Sequence, residues 1–206
     1  MIRGNTMEIT IETETLQAML ILAAKKDVRY YLQGVLLETG PKGARLVSTD
    51  GHLMGVYKIE GDFPVSSGIL PADFITTVCK LAGKQSKVYL KVTPGDIPVY
   101  STLGFSMPGI DAKYPDWQRM LPRETVSGIA GQFDPDLLVR FKKAGKLFGR
   151  ENPIVSIGYA GPGSAALVDV GVDNFIGLVM PVRADNAPTD SPAWALESLT
   201  DEVKAA

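Results

Sequence analysis

Met7-Glu8-Ile9-Thr10-Ile11-Glu12 alternates apolar and polar residues, the two-residue period of a strand with one buried face. The period then changes. Leu16, Met19, Leu20 and Ala23 recur at i, i+3, i+4 and i+7, which predicts an amphipathic helix ending near Lys25-Lys26, where positive charge suits the negative end of the helix dipole. Strands are expected over Val28 to Glu38, Ala44 to Ser48 and His52 to Ile59, separated by Gly- and Asp-bearing turns that include a tight Asp50-Gly51 turn.

The same order recurs twice more. In the second unit Ser67 to Leu70 reads as a strand, Pro71-Ala72-Asp73 opens a helix through Ile75, Val78, Cys79 and Leu81, and strands follow at Lys87 to Val92, Val99 to Thr102 and Phe105 to Met107. In the third, Gly128 to Phe133 is the strand and Asp134-Pro135-Asp136 opens the helix, with Asp as N-cap and Pro at the first helical position. Strands over Ile154 to Tyr159, Ala165 to Val170 and Ile176 to Val182 complete it. Three such units in a row form an internal repeat, and units of this kind bury their cores by pairing with a neighbour. The fold class expected is α+β, strand-helix-three-strand repeats with helices packed on antiparallel sheets. From Asp185 to Ala206 the pattern stops. Ser191-Pro192 resembles a helix start, with Leu196, Leu199 and Val203 on one face, and a frayed terminus is the alternative.

With 206 residues, the chain is long enough for one large or two small cores. No apolar run reaches the roughly 20 residues needed to span a bilayer, and Met1 to Thr6 lacks the apolar core of a secretory signal, so a cytoplasmic protein that does not engage membranes is expected. Cys79 is the sole cysteine, which excludes an internal disulfide and a cysteine cluster for zinc and reads as buried apolar filler. A net charge of -2 argues against gripping nucleic acid by bulk positive charge, though it leaves room for local basic patches.

His52 is the only histidine and lies two residues from Asp50. Neighbours at i and i+2 do not reliably form the hydrogen bond of a base and its orienter, and no nucleophile stands out by motif. Neither a phosphate-binding glycine motif nor a metal-ligand spacing is present in the sequence. No enzyme activity, metal or cofactor is expected, and a hydrolase or nuclease using His52 is the weakest reading.

The segment Asp27-Val28-Arg29-Tyr30-Tyr31-Leu32-Gln33-Gly34-Val35-Leu36-Leu37-Glu38, followed by Leu46-Val47-Ser48-Thr49-Asp50-Gly51-His52-Leu53-Met54, closely resembles the middle domain of the bacterial DNA polymerase III beta subunit, the sliding clamp family. Tyr114-Pro115-Asp116-Trp117-Gln118-Arg119-Met120-Leu121-Pro122 is similar to that family's interdomain linker, and Leu178-Val179-Met180-Pro181-Val182-Arg183 to its C-terminal end. Three matches in the right order are far more specific than one. The resemblance covers about residues 7 to 184 and implies the DNA clamp fold. It divides the chain into a complete clamp-like domain over 1–113, the linker at 114–122, half a domain over 123–184 and a tail over 185–206. Absent by comparison are the family's first domain and one half-domain.

The resemblance also implies sites. Leu32, Thr49, Gly51, His52, Leu53, Met54, Pro115, Arg119, Met120, Leu178, Met180, Pro181, Val182 and Arg183 match the groove that takes short peptides of polymerases and repair proteins. Methionines suit such a groove, because an adaptable, polarizable side chain accepts several related apolar anchors. Leu53 stands where a basic residue is commoner, which removes one polar contact from the rim. Lys25, Lys26, Arg29, Tyr30 and Tyr31, with Arg140, Lys142, Lys143 and Lys146, would face duplex DNA through backbone contacts that carry no sequence information. A solvated face is the bland reading of the lysines. The function implied is a processivity factor that encircles or contacts DNA, docks polymerase or repair proteins, and is served by a clamp loader. A clamp mimic that binds the same peptides without encircling DNA is the alternative. Because a ring in this family uses twelve units, three units per chain suggest a homo-tetramer, and a twofold dimer is the other expectation.

Overall fold

The structure is a computed structural model, and it describes residues 6–122, 131–161 and 163–182. Alternation governs the first sheet. On β1 (Met7–Glu12), Met7, Ile9 and Ile11 point inward while the residues between them face water. Val88, Leu90 and Val92 do the same on β6 (Lys87–Thr93), which runs antiparallel to β1 with Ile9 opposite Leu90. β7 (Val99–Thr102) and β8 (Phe105–Pro108) complete the order β1-β6-β7-β8. One covered face and one wet face are what the two-residue period demands.

The second sheet has seven antiparallel strands in the order β5-β2-β3-β4-β11-β10-β9. It comprises β2 (Gly34–Gly40), β3 (Gly43–Thr49), β4 (Leu53–Ile59), β5 (Ser66–Pro71), β9 (Ser156–Gly158), β10 (Ala166–Asp169) and β11 (Phe175–Val179). Buried residues run consecutively along β2 and β4 because both faces are covered. The helices α1 (Thr13–Leu22) and α3 (Pro135–Leu147) lie over one face of this sheet, the segment from Ile110 to Leu121 lies over the other, and α2 (Ala72–Ala82) packs beside α1 on the first sheet through Phe74 against Tyr100 and Phe105.

Two features of this topology exceed the reading from periodicity. The first two units exchange their opening strands, so β1 completes the sheet of the second unit and β5 that of the first. The third unit then extends the first through β4 and β11. At that seam Gly55 sits opposite Gly177. Leu22 and Phe175 fill the space over Gly55, and Phe141 fills the space over Gly177, where a methyl group would come within 2.4 to 2.9 Å of these side chains. Phe141 and Phe175 pack together there with ring centroids 6.4 Å apart.

Several expected boundaries move. Val28 to Gln33 is not strand: Val28 is 98% exposed, Tyr30 to Gln33 form a 3-10 turn, and β2 begins at Gly34. Helix α1 stops at Leu22 rather than near Lys25-Lys26, and its closing carbonyls are met by Arg140 instead of those lysines. His52 belongs to the turn before β4, Ile154 and Val155 precede β9, and Met180 to Val182 follow β11. Asp134 caps α3 as expected, its carboxylate accepting the Asp136 N–H at 2.9 Å, with Pro135 next in line. Cys79 is half-buried against α1 rather than core filler, and burial pushes its thiol pKa up. Residues 128–130 of the expected third-unit strand and all of the expected tail helix lie outside the described residues.

The glycine pair yields a stability prediction. Gly55→Ala should destabilise the protein by about 1 to 3 kcal/mol through overpacking against Leu22 and Phe175. Substitution by alanine at Gly40, whose Cβ position is open, should stay within about 0.5 kcal/mol of wild type in the same urea unfolding series.

Candidate functional site

The turn between β3 and β4 is held by its own polar residues. Thr49 Oγ1 donates to the Leu53 carbonyl at 2.6 Å and accepts the Gly51 N–H at 3.0 Å. Asp50 Oδ1 accepts the N–H groups of His52 and Leu53 at 2.8 and 3.0 Å. Gly51 adopts φ +93°, a conformation that a Cβ would strain. Two guanidinium groups brace the turn from outside. Arg29 donates to the Asp50 carbonyl at 3.2 Å while pairing with the Asp27 carboxylate at 2.6 and 3.0 Å, and Arg140 pairs with Asp50 Oδ2. Burial opposes ionisation of Asp50, but the two N–H groups and Arg140 outweigh it and its pKa is lowered.

This turn is one wall of an apolar cavity of about 190 Å3. The smallest drug-sized pockets run to about 300 Å3, so the cavity has room for one or two apolar side chains. β4 and β11 bring Met54 and Leu178 into direct opposition, and the Met180 N–H donates to the His52 carbonyl at 2.8 Å, carrying the third unit's chain past the turn. The 3-10 turn supplies Leu32, whose carbonyl accepts the Ala24 N–H.

The opposite wall comes from the segment after β8, which is pinned to the sheet at two aromatic residues. Tyr114 donates its hydroxyl to the Val47 carbonyl at 3.3 Å, and burial pushes its pKa up. Trp117 donates Nε1 to Glu38 Oε2 at 3.1 Å beneath the Arg45 guanidinium, which lies 5.7 Å from the ring centre. Pro115 and Met120 on either side of Trp117 then reach the cavity.

Of the fourteen residues expected to line a groove, Leu32, Thr49, Gly51, His52, Leu53, Met54, Pro115, Met120, Leu178 and Met180 converge on this cavity. Arg119 does not, being exposed and paired with Asp116 at 2.8 Å. Pro181 and Val182 lie beyond the cavity, the Val182 N–H donating to the Gln132 carbonyl. Arg183 lies outside the described residues. Three lining residues were missed: Arg29, Trp117 and Ala165. The aromatic at 117 sits in the linker segment quoted above and was legible, whereas Ala165 carries no signal of its own.

The cationic set divides. Lys25, Lys26, Lys142, Lys143 and Lys146 are exposed, and Lys25, Lys26 and Lys143 border an open cleft together with Asp27, Asp50, His52 and Arg140. Tyr30 and Tyr31 meet edge to face at 5.9 Å, with the Tyr30 hydroxyl on the Asp111 carbonyl. Arg29 and Arg140 are different, because both guanidinium groups are engaged within the protein. Among the described residues, no carboxylate orients His52: the Asp50 oxygens go to backbone N–H groups and to Arg140. Among the described residues, no group of three His, Cys, Asp or Glu is placed to hold a metal, and no helix is long and apolar enough to cross a membrane.

A helix-covered antiparallel sheet of repeated units, with an apolar cavity where two units and a linker meet, defines a clamp-type protein. The sequence model of the DNA polymerase III beta subunit central domain matches residues 6–116. The beta sliding clamp of Proteus mirabilis is 30% identical over 135 residues, 61% of this chain and 37% of that protein. That of Pseudomonas aeruginosa is 32% identical over 111 residues, 48% of this chain and 29% of the relative. Among solved structures, a Pseudomonas aeruginosa DNA polymerase sliding clamp superposes with a TM-score of 0.68 at 21% identity, covering 88% of this chain and 67% of that one. The Bacillus subtilis clamp does so at 0.65 and 13% identity, covering 86% and 64%. The chain belongs to the DNA polymerase III beta subunit family, and it spans about a third of the length of the curated relatives it matches.

The lowered pKa of Asp50 gives a pH prediction. Its ionised form stabilises the fold above the unfolded carboxylate value of about 3.9, and that contribution is lost as pH falls through the lower folded value. Asp50→Asn should therefore cost about 1 to 3 kcal/mol at pH 7, and the gap to wild type should close in thermal unfolding carried down towards pH 3.

Proposed function

We propose that this chain is a shortened sliding-clamp-like processivity factor: its groove docks short peptides of polymerases and repair proteins, its helix face borders duplex DNA, and copies of it assemble in the cytoplasm. The carrying observation is the convergence of Leu32 and the 49–54 turn, Pro115 and Met120, and Leu178 and Met180 on one small apolar cavity. Segments so distant in sequence have no need to meet around open space unless something enters it, and a recess with a buried apolar floor of Leu32, Met54 and Leu178 under the exposed rim of Pro115 and Met120 has the form of a binding site. The 30% identity to the Proteus mirabilis clamp supports the same reading. A factor of this type works by tethering: partners held by short peptides gain effective concentration at the template, and duplex DNA is retained without tight contacts. A clamp loader would place it on DNA, and a tetramer or twofold dimer would close it around the duplex.

One observation favours a second reading, a peptide-binding clamp mimic that never encircles DNA. Two of the expected cations, Arg29 and Arg140, are paired with carboxylates of the protein itself, and the helix face carries a depression whose apolar floor of Leu20, Ile21, Cys79 and Leu147 is flanked by Lys25 and Lys80. Both readings share the groove and part at the DNA.

For the groove, a peptide with one glutamine and two bulky apolar anchors should bind with a dissociation constant on the order of micromolar, and its scrambled form should not. Met180→Ala should weaken the bound peptide by about 1 to 2 kcal/mol in the same titration. Equal binding of both peptides by wild type would remove the docking role.

For the DNA, wild type should be retained on primed circular DNA, and Tyr30→Ala with Tyr31→Ala should lower that retention while leaving the circular dichroism spectrum unchanged. A wild type that is strictly monomeric in sedimentation at high concentration and is not retained would leave the mimic as the function.

A further inference from the structure

We propose that Arg140 is a positioning residue for the groove and not a contact to nucleic acid phosphate. Its charge and its place on α3 suggest an outward cation, yet its donors are spoken for. Nε donates to the Ile21 carbonyl at 3.0 Å, Nη2 to the Ala23 carbonyl at 3.2 Å, and Nη1 pairs with Asp50 Oδ2. The side chain is 22% exposed and that of Asp50 15%. Leaving this arrangement for a phosphate would strip Asp50 of its partner in a low-dielectric site and uncover the end of α1, which is costlier than recruiting a solvated cation. Lys143, exposed in the same cleft beside Lys25 and Lys26, is free to do that work.

The effect of Arg140 reaches the groove through one carboxylate. Oδ2 of Asp50 is held by Arg140, and Oδ1 holds the N–H groups of His52 and Leu53, both of which line the cavity. The His52 carbonyl in turn receives the Met180 N–H. A helix of the third unit thereby sets the wall on which a docked side chain rests, while Arg140 itself stays outside the cavity. The planar guanidinium meets the three acceptors from three separate nitrogens, a spread that the single nitrogen of lysine lacks, so lysine is a partial substitute that keeps the charge and loses the fork. Thr49 and Arg29 still brace the turn when Arg140 is lost, so the turn loosens without dissolving.

The inference rests on the groove as the peptide site, and the test separates the two. His52 is the only histidine in the chain, so its imidazole Cε1–H gives one assignable proton signal that reports the turn without any peptide. Full-length Arg140→Ala, Arg140→Lys, Asp50→Asn and the Arg140→Ala/Asp50→Asn pair would be compared with wild type and with Lys143→Ala. The readouts are titration with the glutamine-bearing apolar peptide, the His52 signal, and retention on primed circular DNA.

Arg140→Ala should weaken the peptide by roughly 3- to 10-fold, shift the His52 signal and leave DNA retention at the wild-type level, with Arg140→Lys falling between. The double variant should bind no worse than the weaker single one, since both remove the same link. Lys143→Ala should lower DNA retention. If Arg140→Ala prevents folding, Arg140→Lys and Asp50→Asn carry the comparison. Loss of DNA retention in the Arg140 variants with the His52 signal and peptide affinity unmoved would overturn the assignment. A wild type that ignores the peptide would defeat the docking role alone, and the His52 signal would still decide whether Arg140 sets the turn.

Discussion

The antiparallel join between β4 and β11 is the contact on which the rest of the molecule depends. Two strands about 120 residues apart in sequence must come close enough to share a ladder while α1 and α3 cover the same stretch of sheet, a loop closure whose entropy must be recovered by what packs there. The chain meets the steric problem with glycine. Gly55 faces Gly177, and the volume that two side chains would have taken is filled by Leu22, Phe141 and Phe175. Each aromatic ring buried in this way contributes far more than the few tenths of a kilocalorie a cross-strand pair of small residues supplies. The seam is thus a place where the strands contribute room and the helices contribute the packing.

From that seam the cavity follows as a matter of geometry. Once β11 lies on β4, Leu178 must face Met54 and Met180 must pass the Asp50-Gly51-His52 turn. The linker closes the remaining side because Tyr114 and Trp117 are bonded to β3 and β2, which leaves Pro115 and Met120 over the opening. Leu32, Leu53, Met54 and Leu178 are buried in its floor while Pro115 and Met120 are exposed at its rim, and backbone and aromatic anchors hold the two walls apart. That distinguishes a preformed recess from a packing defect, which neighbouring side chains would collapse to fill.

Periodicity was a good guide wherever burial follows from a strand or helix acting alone. β1 and β6 each bury one face, so their alternation was visible, and the Asp134-Pro135 start of α3 follows from local backbone chemistry. Val28 to Gln33 misled because Val, Tyr, Tyr and Leu within five residues satisfy a strand pattern, whereas in the fold Leu32 alone is buried and Val28 faces water. The exchange of β1 and β5 had no local signature at all, since either strand could have closed either sheet. Charge was the least legible property. Arg29 and Arg140 look like their lysine neighbours in the sequence, and only the placement of Asp27, Asp50 and the last carbonyls of α1 shows that they are fastened to the protein. All fourteen expected lining residues, by contrast, came from motif position, and ten of them do line the cavity, because the motif records which segments meet.

The same long-range join has a consequence in time. A chain synthesised from its amino end completes β4 while β11 is still to be made, and until then the β4 edge is open and the Asp50 turn lacks both Arg140 and the Met180 backbone. The first two units can exchange strands meanwhile, because the ladders joining β1, β6, β7 and β8 and those joining β5, β2, β3 and β4 are made among themselves, while the helix side of their core still waits for Phe141 and Phe175. The recess therefore comes into being in a single late event, when the last strand docks. The walls of the recess are thus incomplete in the nascent chain and close at the moment its final sheet is finished.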